Sequence, residues 1–138
     1  MRDPMSAPLQ RAQVVKVWTD GGETHEAVHD VACSGGTVPD ADTHRCPDNG
    51  ASVNISDCST EIGSGANELK AYWTDPDFSV DREAAYYVRV LENPTCRWST
   101  WDAVRNGTPH NPELPTTVQE RAWSSPIWYA GLDLTASD

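Results

Sequence analysis

Four cysteines constrain the fold of this chain more than any other feature of its sequence. An even number of cysteines in a small, loop-rich chain is typical of disulfides formed in an oxidising compartment. Free thiols and a four-cysteine zinc site are the alternatives, but zinc sites usually draw their ligands from close pairs, and no close pair occurs here. Of the three pairings that four cysteines allow, we predict Cys33–Cys46 and Cys58–Cys96.

Alternating apolar and polar residues predict a mainly β chain. The Gly-Gly sequence after Asp20 predicts a hairpin turn between the first two strands, and Cys33–Cys46 would tie down the long polar loop that follows. Pro126 argues that the last strand lies at an edge or carries a bulge. The predicted strands are Gln10–Thr19, Thr24–Cys33, Ala51–Cys58, Glu68–Thr74, Ala84–Glu92 and Arg121–Tyr129.

The remaining segments complete a single module over residues 1–129. Ser99 resembles the N-cap of a short helix that Asn106-Gly107 would end, and residues 130–138 are expected to be a frayed tail. The predicted fold is therefore an antiparallel β-sandwich-like module, or a sheet with a flanking layer of loops, with long disulfide-tied loops and one short helix.

The charge of the chain argues against two classes of partner. Ten Lys and Arg residues stand against 21 Asp and Glu residues, which gives a formal net charge of −11. Such a field repels phosphate backbones and anionic headgroups, so we expect no nucleic-acid partner and no membrane partner. No apolar run approaches the ~20 residues that a membrane-spanning helix needs.

Several long strings of this sequence resemble a known bacterial family. The strings LQRAQVVKVWTD, GETHEAVHDVACSGG, ELKAYWTDPDFSVDREAAYYVRVLENPTCRWSTWDAVRNG and PTTVQERAWSSPIWY are similar to the C-terminal part of domain-of-unknown-function family 3604. The resemblance implies a longer, periplasmic or secreted parent with an N-terminal region like the PHP metal-dependent phosphoesterases. None of the metal-ligand motifs of that region maps onto a residue of this sequence.

The string His25-Glu26-Ala27-Val28-His29 matches the H-E-x-x-H zinc motif. On a helix its two histidines can bind one zinc ion while the glutamate activates water. On the predicted strand they would stand ~13 Å apart, too far to share an ion. We therefore expect no catalytic residue, no metal and no cofactor here, and a small metalloprotease is the least favoured hypothesis.

Two acidic groups admit a calcium interpretation. The first is Asp40, Asp42, Asp48 and Asn49, and the second is Asp75, Asp77 and Asp81. Carboxylate and amide oxygens at close spacing suit calcium, but the first string lacks the EF-hand pattern. Solvated loop residues and turn-making aspartates are the favoured interpretations.

Tryptophans carry the remaining functional signal. They could stack on the apolar faces of sugars, or fill the core or a domain interface, and packing is the favoured interpretation. The candidates for ligand stacking are Trp98, Trp101, Trp123 and Trp128.

Two functional hypotheses follow, which the exposure of the tryptophans would separate. The first is a non-catalytic accessory module of a PHP-like, metal-dependent hydrolase whose catalytic part is absent. The second is a free-standing, carbohydrate-type binding module. Because the strand Ala84–Glu92 is apolar on both sides, we expect either the missing N-terminal domain or a homodimer partner to cover it.

Overall fold

The computed structural model describes residues 1–60 and 64–132 of the chain. Its fold is mainly β and antiparallel with one helix in the described part, as the sequence predicts. The strands are β1 (Leu9–Asp20), β2 (Glu23–Cys33), β3 (Val53–Asn54), β4 (Ser59–Thr60), β5 (Ala84–Glu92), β6 (Thr95–Cys96), β7 (Thr117–Val118), β8 (Arg121–Trp123) and β9 (Ile127–Tyr129), and the helix is α1 (Trp98–Asn106).

One antiparallel sheet organises the chain. Its order is β2-β1-β5, and the short strands β8 and β9 both pair with the far side of β5. Two small ribbons, β3 with β4 and β6 with β7, stand outside this sheet. Apart from the helix, the described chain outside these strands consists mostly of turns and loops, in agreement with the predicted sheet with flanking loops.

The hairpin of β1 and β2 confirms the turn predicted from the two glycines. Gly21 and Gly22 have φ angles of 58° and 83°, in the region that side chains disfavour. Two successive positive φ angles suit the twist of a tight hairpin, so the strands continue directly into each other.

Strand register assigns the side chains of the sheet to two faces. We call one the covered face; its central residues are Val14 and Lys16 on β1 and Tyr86 and Val88 on β5. We call the other the aromatic face; its residues include Arg11, Gln13, Val15, Val17, Thr19, Thr24, Glu26, Val28, Asp30, Cys33, Ala85, Tyr87, Arg89, Leu91, Arg121, Trp123 and Trp128.

The segment Glu68–Thr74 lies over the covered face and is not the strand that its alternation predicts. Leu69 and Trp73 line a cleft of about 640 Å³ together with Val14 and Val88 of the sheet, whereas Tyr72 is 95% exposed. The alternation therefore reflects burial of one side of an irregular segment. Because the segment crosses a face, its backbone does not pair with a strand edge.

Both predicted disulfides are confirmed. Cys33–Cys46 joins the end of β2 to the long polar loop, and Cys58–Cys96 joins the β3–β4 ribbon to β6. A buried asparagine, Asn93, holds the same loops together. Its side chain accepts a hydrogen bond from Asn49 at 2.8 Å and donates one to the Ser64 carbonyl at 3.1 Å. The loops are therefore fixed by covalent and polar links more than by apolar burial.

The start of β1 packs closely against the chain at Gly65. Leu9 and Ala66 exchange two backbone hydrogen bonds of 2.8 Å. A Cβ atom on Gly65 would stand 2.4 Å from the Cβ of Pro8, and its φ angle is 93°. Glycine is therefore required at this crossing both for space and for conformation.

The helix is confirmed, but its predicted cap is wrong. Arg97 is the N-cap and makes no capping hydrogen bond through its side chain. The helix begins one residue before Ser99, and Thr100 instead donates its hydroxyl hydrogen bond to the Thr116 carbonyl at 2.7 Å. The helix ends at Asn106, as predicted.

The last predicted strand is divided into β8 and β9, as its proline suggests. Ser124 takes the place of a regular ladder pair, because its hydroxyl accepts a hydrogen bond from the Val88 backbone N–H at 2.9 Å. Pro126 follows without a backbone donor of its own. Most of the tail that is predicted to fray, residues 133–138, lies outside the described part. At its start, the Leu132 N–H donates a hydrogen bond to the Val80 carbonyl at 2.6 Å.

Candidate functional site

The H-E-x-x-H string lies on β2, as the sequence analysis expects. His25 stacks on Trp18, with ring centroids 5.4 Å apart, and His29 is buried against His44 at 4.6 Å and Trp73 at 5.3 Å. Among residues 1–60 and 64–132, no group of three or more His, Cys, Asp or Glu side chains could hold a metal ion. The helical geometry that zinc chemistry needs is thus not formed.

A buried charged cluster lies on the covered face, and the sequence predictions do not include it. The Lys16 ammonium stands 2.5 Å from the Asp75 carboxylate, and both side chains are almost fully buried. Tyr86 donates its hydroxyl hydrogen bond to the same carboxylate at 2.7 Å, and Lys16 also donates to the Asp77 carbonyl at 2.9 Å. The signal was a lysine within the otherwise apolar centre of a strand.

The electrostatics of this cluster suit a structural clamp. Burial, followed by the hydrogen bond to Asp75, raises the pKa of Tyr86 to about 12, so its phenol keeps its proton. Burial opposes ionisation of Asp75, but hydrogen bonds from Lys16 and Tyr86 outweigh it and lower the pKa of Asp75. A protonated phenol and an ion-paired carboxylate are poor general bases at neutral pH. The cluster therefore fixes the segment after Trp73 to the sheet.

The acidic loop residues mostly bond to their own turns. The Asp40 carboxylate accepts hydrogen bonds from the backbone N–H groups of Thr43 at 2.8 Å and Asp42 at 3.1 Å. The Asp48 carboxylate accepts one from the Gly50 N–H at 3.0 Å. Asp40, Asp42 and Asp48 are exposed, in agreement with the solvated loop that is the favoured interpretation of this group, and these hydrogen bonds are those of turn-making aspartates.

The tryptophans proposed for ligand stacking all lie on the surface. Core packing is therefore wrong for these residues, which leaves ligand stacking or packing against a second domain. Their exposed fractions are 68% for Trp98, 37% for Trp101, 57% for Trp123 and 77% for Trp128.

Two of the four share the aromatic face at the edge of the sheet. Trp123 pairs with Arg89 of β5, and Trp128 pairs with Ala85. Tyr87 lies between these two β5 positions on the same face. Trp128 and Tyr87 also line an open groove of about 640 Å³. The sequence indicated the tryptophans as candidates but not their alignment, which depends on the register of β8 and β9.

The other two tryptophans, Trp98 and Trp101, lie on the helix α1 and not on the edge strands. Trp98 is at the first residue of the helix, and the guanidinium of Arg105 lies 5.3 Å from the ring centre of Trp101. Trp101 also lines a cavity with Pro8 and Cys96, away from β8 and β9. The four tryptophans therefore do not make one platform.

Arginines border the aromatic face near the C-terminal end of β5, opposite to the end where Trp128 lies. Arg11 and Arg121 both stand opposite Leu91, and Arg89 stands opposite Gln13. Arg45 approaches the same face from the long loop, with its guanidinium 3.6 Å from Asp30. We call these four residues the arginine cluster. They are far apart in sequence, so no motif could have identified them.

The comparisons with known proteins agree with the resemblance noted above. No curated protein and no solved structure is matched by this chain. The family model described as protein of unknown function (DUF3604) matches residues 1–131, nearly the whole chain. The chain therefore belongs to the DUF3604 family.

Proposed function

We propose that this chain is a non-catalytic binding module that takes carbohydrate on its aromatic face. The observation that carries the proposal is the exposure of Trp123 and Trp128, 57% and 77%, on one side of one sheet edge. Burying large aromatic rings is strongly favourable, so rings left in water on a shared face mark a surface that meets something else.

The chemistry of these side chains suits a sugar chain. An indole ring offers a flat apolar surface with an electron-rich face, against which the C–H face of a sugar ring can lie. The β5 partners of Trp123 and Trp128 are four residues apart, which separates the two anchors by ~13 Å along the strand. That span exceeds a single sugar ring, so the ligand would be an oligosaccharide or polysaccharide that also passes Tyr87.

The compartment expected for such a module is consistent with its covalent structure. Two disulfides are typical of oxidising environments. We infer a periplasmic or secreted location, where polysaccharides are available.

Affinity electrophoresis through gels that contain soluble polysaccharides, neutral and acidic, tests this function. We expect at least one polysaccharide to retard the wild-type protein and Trp128→Ala to lose most of that retardation. Loss of one stacked ring removes ~1–1.5 kcal/mol of binding free energy, which corresponds to roughly tenfold weaker binding. Trp98→Ala is the matched control, because Trp98 is 68% exposed but lies on the helix. Equal losses in both variants, or no retardation by any polysaccharide, would contradict the proposal.

A second candidate function is the accessory role beside a PHP-like hydrolase domain, or the homodimer that would replace it. Exposed apolar side chains on the opposite face favour it: Ile127 is 73% exposed and Val88 is 40% exposed. Trp, Tyr and Arg are also the residues most enriched at the centres of protein interfaces. In this case a protein surface would cover the sheet, and sugar binding would be lost only if that protein also covered the aromatic face.

A further inference from the structure

We infer that the carbohydrate bound by the aromatic face carries carboxylates on its rings, that is, that the ligand is a polyuronate. The inference rests on the proposed function and adds the chemical class of the ligand. Its basis is the arginine cluster, which continues the surface of Trp123 and Trp128 towards the other end of the same sheet.

The position of these charges is unusual for a chain of net charge −11. Ten Lys and Arg residues are available, and Arg11, Arg45, Arg89 and Arg121 all approach this one face. Arg121 and Arg89 are diagonal neighbours on adjacent strands, which places their Cα atoms ~7–8 Å apart. Guanidinium groups therefore recur along the face on the scale of neighbouring sugar rings, beside the aromatic anchors.

Asp30, the acid at the centre of the cluster, is already engaged. Its side chain is fully buried, and it accepts hydrogen bonds from the Gln13 amide at 2.5 Å and from the Cys46 backbone N–H at 2.7 Å. Arg11 stands 4.0 Å away and Arg45 3.6 Å away, so one carboxylate faces two guanidiniums. The carboxylate anchors the disulfide loop and leaves the cluster with an excess of positive charge.

The arginines retain donors for a ligand. Arg89 uses its Nε to donate to Gln13 at 2.7 Å, which fixes the plane of its guanidinium. Within residues 1–60 and 64–132, the terminal nitrogens of Arg89 and the whole guanidinium of Arg121 make no hydrogen bond or ion pair. A guanidinium held in this way binds a carboxylate through two parallel hydrogen bonds, a geometry that lysine does not offer.

The balance of charge favours a carboxylated sugar over a denser polyanion. The protein as a whole repels negatively charged chains, with Asp48 close to Arg11 and Glu83 beside the groove of Trp128. A polyuronate carries one carboxylate per ring and presents apolar ring faces between those charges. Such a chain can place its charges on the arginines and its apolar ring faces on the tryptophans, whereas duplex nucleic acid carries one charge per ~1.7 Å of its axis.

Titration calorimetry with a galacturonate oligosaccharide and with its fully methyl-esterified form tests the inference. The two probes share the same rings and differ in charge. We expect the free acid to bind about tenfold or more tightly than the ester, since a hydrogen bond to a charged group contributes ~1.5–3 kcal/mol. Arg121→Gln should weaken binding of the acid about tenfold and leave binding of the ester unchanged. Arg105→Gln, which changes the net charge equally but lies on α1, is the control.

Each other outcome has a separate meaning. Equal binding of acid and ester would overturn the inference and leave carbohydrate binding itself standing. No binding of either probe by a protein that other polysaccharides retard would also overturn the inference alone. No binding of any carbohydrate would overturn both, and a protein partner would then be favoured. Binding of single-stranded DNA as tight as that of the acid would show that the face selects charge and not sugar.

Discussion

The two faces of the same β2-β1-β5 sheet have opposite character. On the covered face, a charged pair, Lys16 and Asp75, is buried beneath the chain segment that follows Trp73. On the aromatic face, Trp123 and Trp128 project from the edge into solvent. Both faces contribute buried residues, since Val15 and Asp30 of the aromatic face are also buried, and the solvent-exposed rings of that face are confined to the edge strands β8 and β9.

Removal of one charge from the covered face should have the largest effect on stability. Asp75→Ala leaves the buried Lys16 ammonium unpaired, and we expect a loss of about 3–5 kcal/mol in the free energy of unfolding, measured with urea. Binding on the aromatic face should persist in the fraction that remains folded, because Asp75 contacts the opposite side of the sheet.

A double variant separates the charge from the packing. Lys16→Met with Asp75→Leu replaces the pair by apolar side chains, and its stability should lie closer to that of the wild type than that of Asp75→Ala does. If the double variant is as unstable as Asp75→Ala, the unpaired charge is not the cause of the instability. The packing of the segment after Trp73 would then be the cause.

A smaller effect should follow from lowering the pH. Burial, followed by the charge of His44, lowers the pKa of His29 below its ordinary value of 6.5. The unfolded chain therefore takes up this proton first, so stability should fall as the pH falls below about 6.5. The depressed pKa of Asp75 adds a further loss below the ordinary aspartate value of 3.8, as its carboxylate becomes protonated.

His29→Gln isolates the first of these two steps. In urea unfolding between pH 7 and pH 5, the variant should lose less stability than the wild type. Identical pH profiles for wild type and His29→Gln would mean that this histidine does not couple folding to protonation.

The smallest effect on stability is expected on the aromatic face. Trp128→Ala should change the free energy of unfolding by less than about 0.5 kcal/mol, because the ring is 77% exposed. Sedimentation at micromolar concentration on the same variant addresses the second candidate function. A wild-type homodimer that dissociates on this substitution would indicate that the face meets protein, and a monomer in both would leave it open to a sugar.

Much of the fold follows from local sequence signals. The two glycines after Asp20 specify the hairpin, and the apolar runs before and after them specify its strands. The Cys33–Cys46 disulfide could be predicted because these two residues bracket most of a loop that has few apolar residues. These features depend on neighbours in the chain, which is why sequence reasoning finds them.

The site could not be predicted to the same extent, because it depends on register and on contacts between distant segments. Glu68–Thr74 has the alternation of a strand, but the contacts of Leu69 and Trp73 turn it into a cover for the sheet. Arg11 and Arg121 lie close together because both pair with Leu91 of β5. They are too far apart in the sequence for a local motif to indicate this. Alternation reports that one side of a segment is buried, not what buries it.

The division of the last strand at Ser124 to Pro126 bears on how this protein behaves at high concentration. Strands at the border of a sheet can recruit the backbone of another molecule and start aggregation. Here one border is broken into two three-residue pieces by a serine bulge and a proline. The opposite border, β2, donates its Asp30 N–H to the His44 carbonyl of its own loop at 2.9 Å. Each border therefore carries a feature that hinders the addition of another strand, an interruption at one and a bond to its own loop at the other.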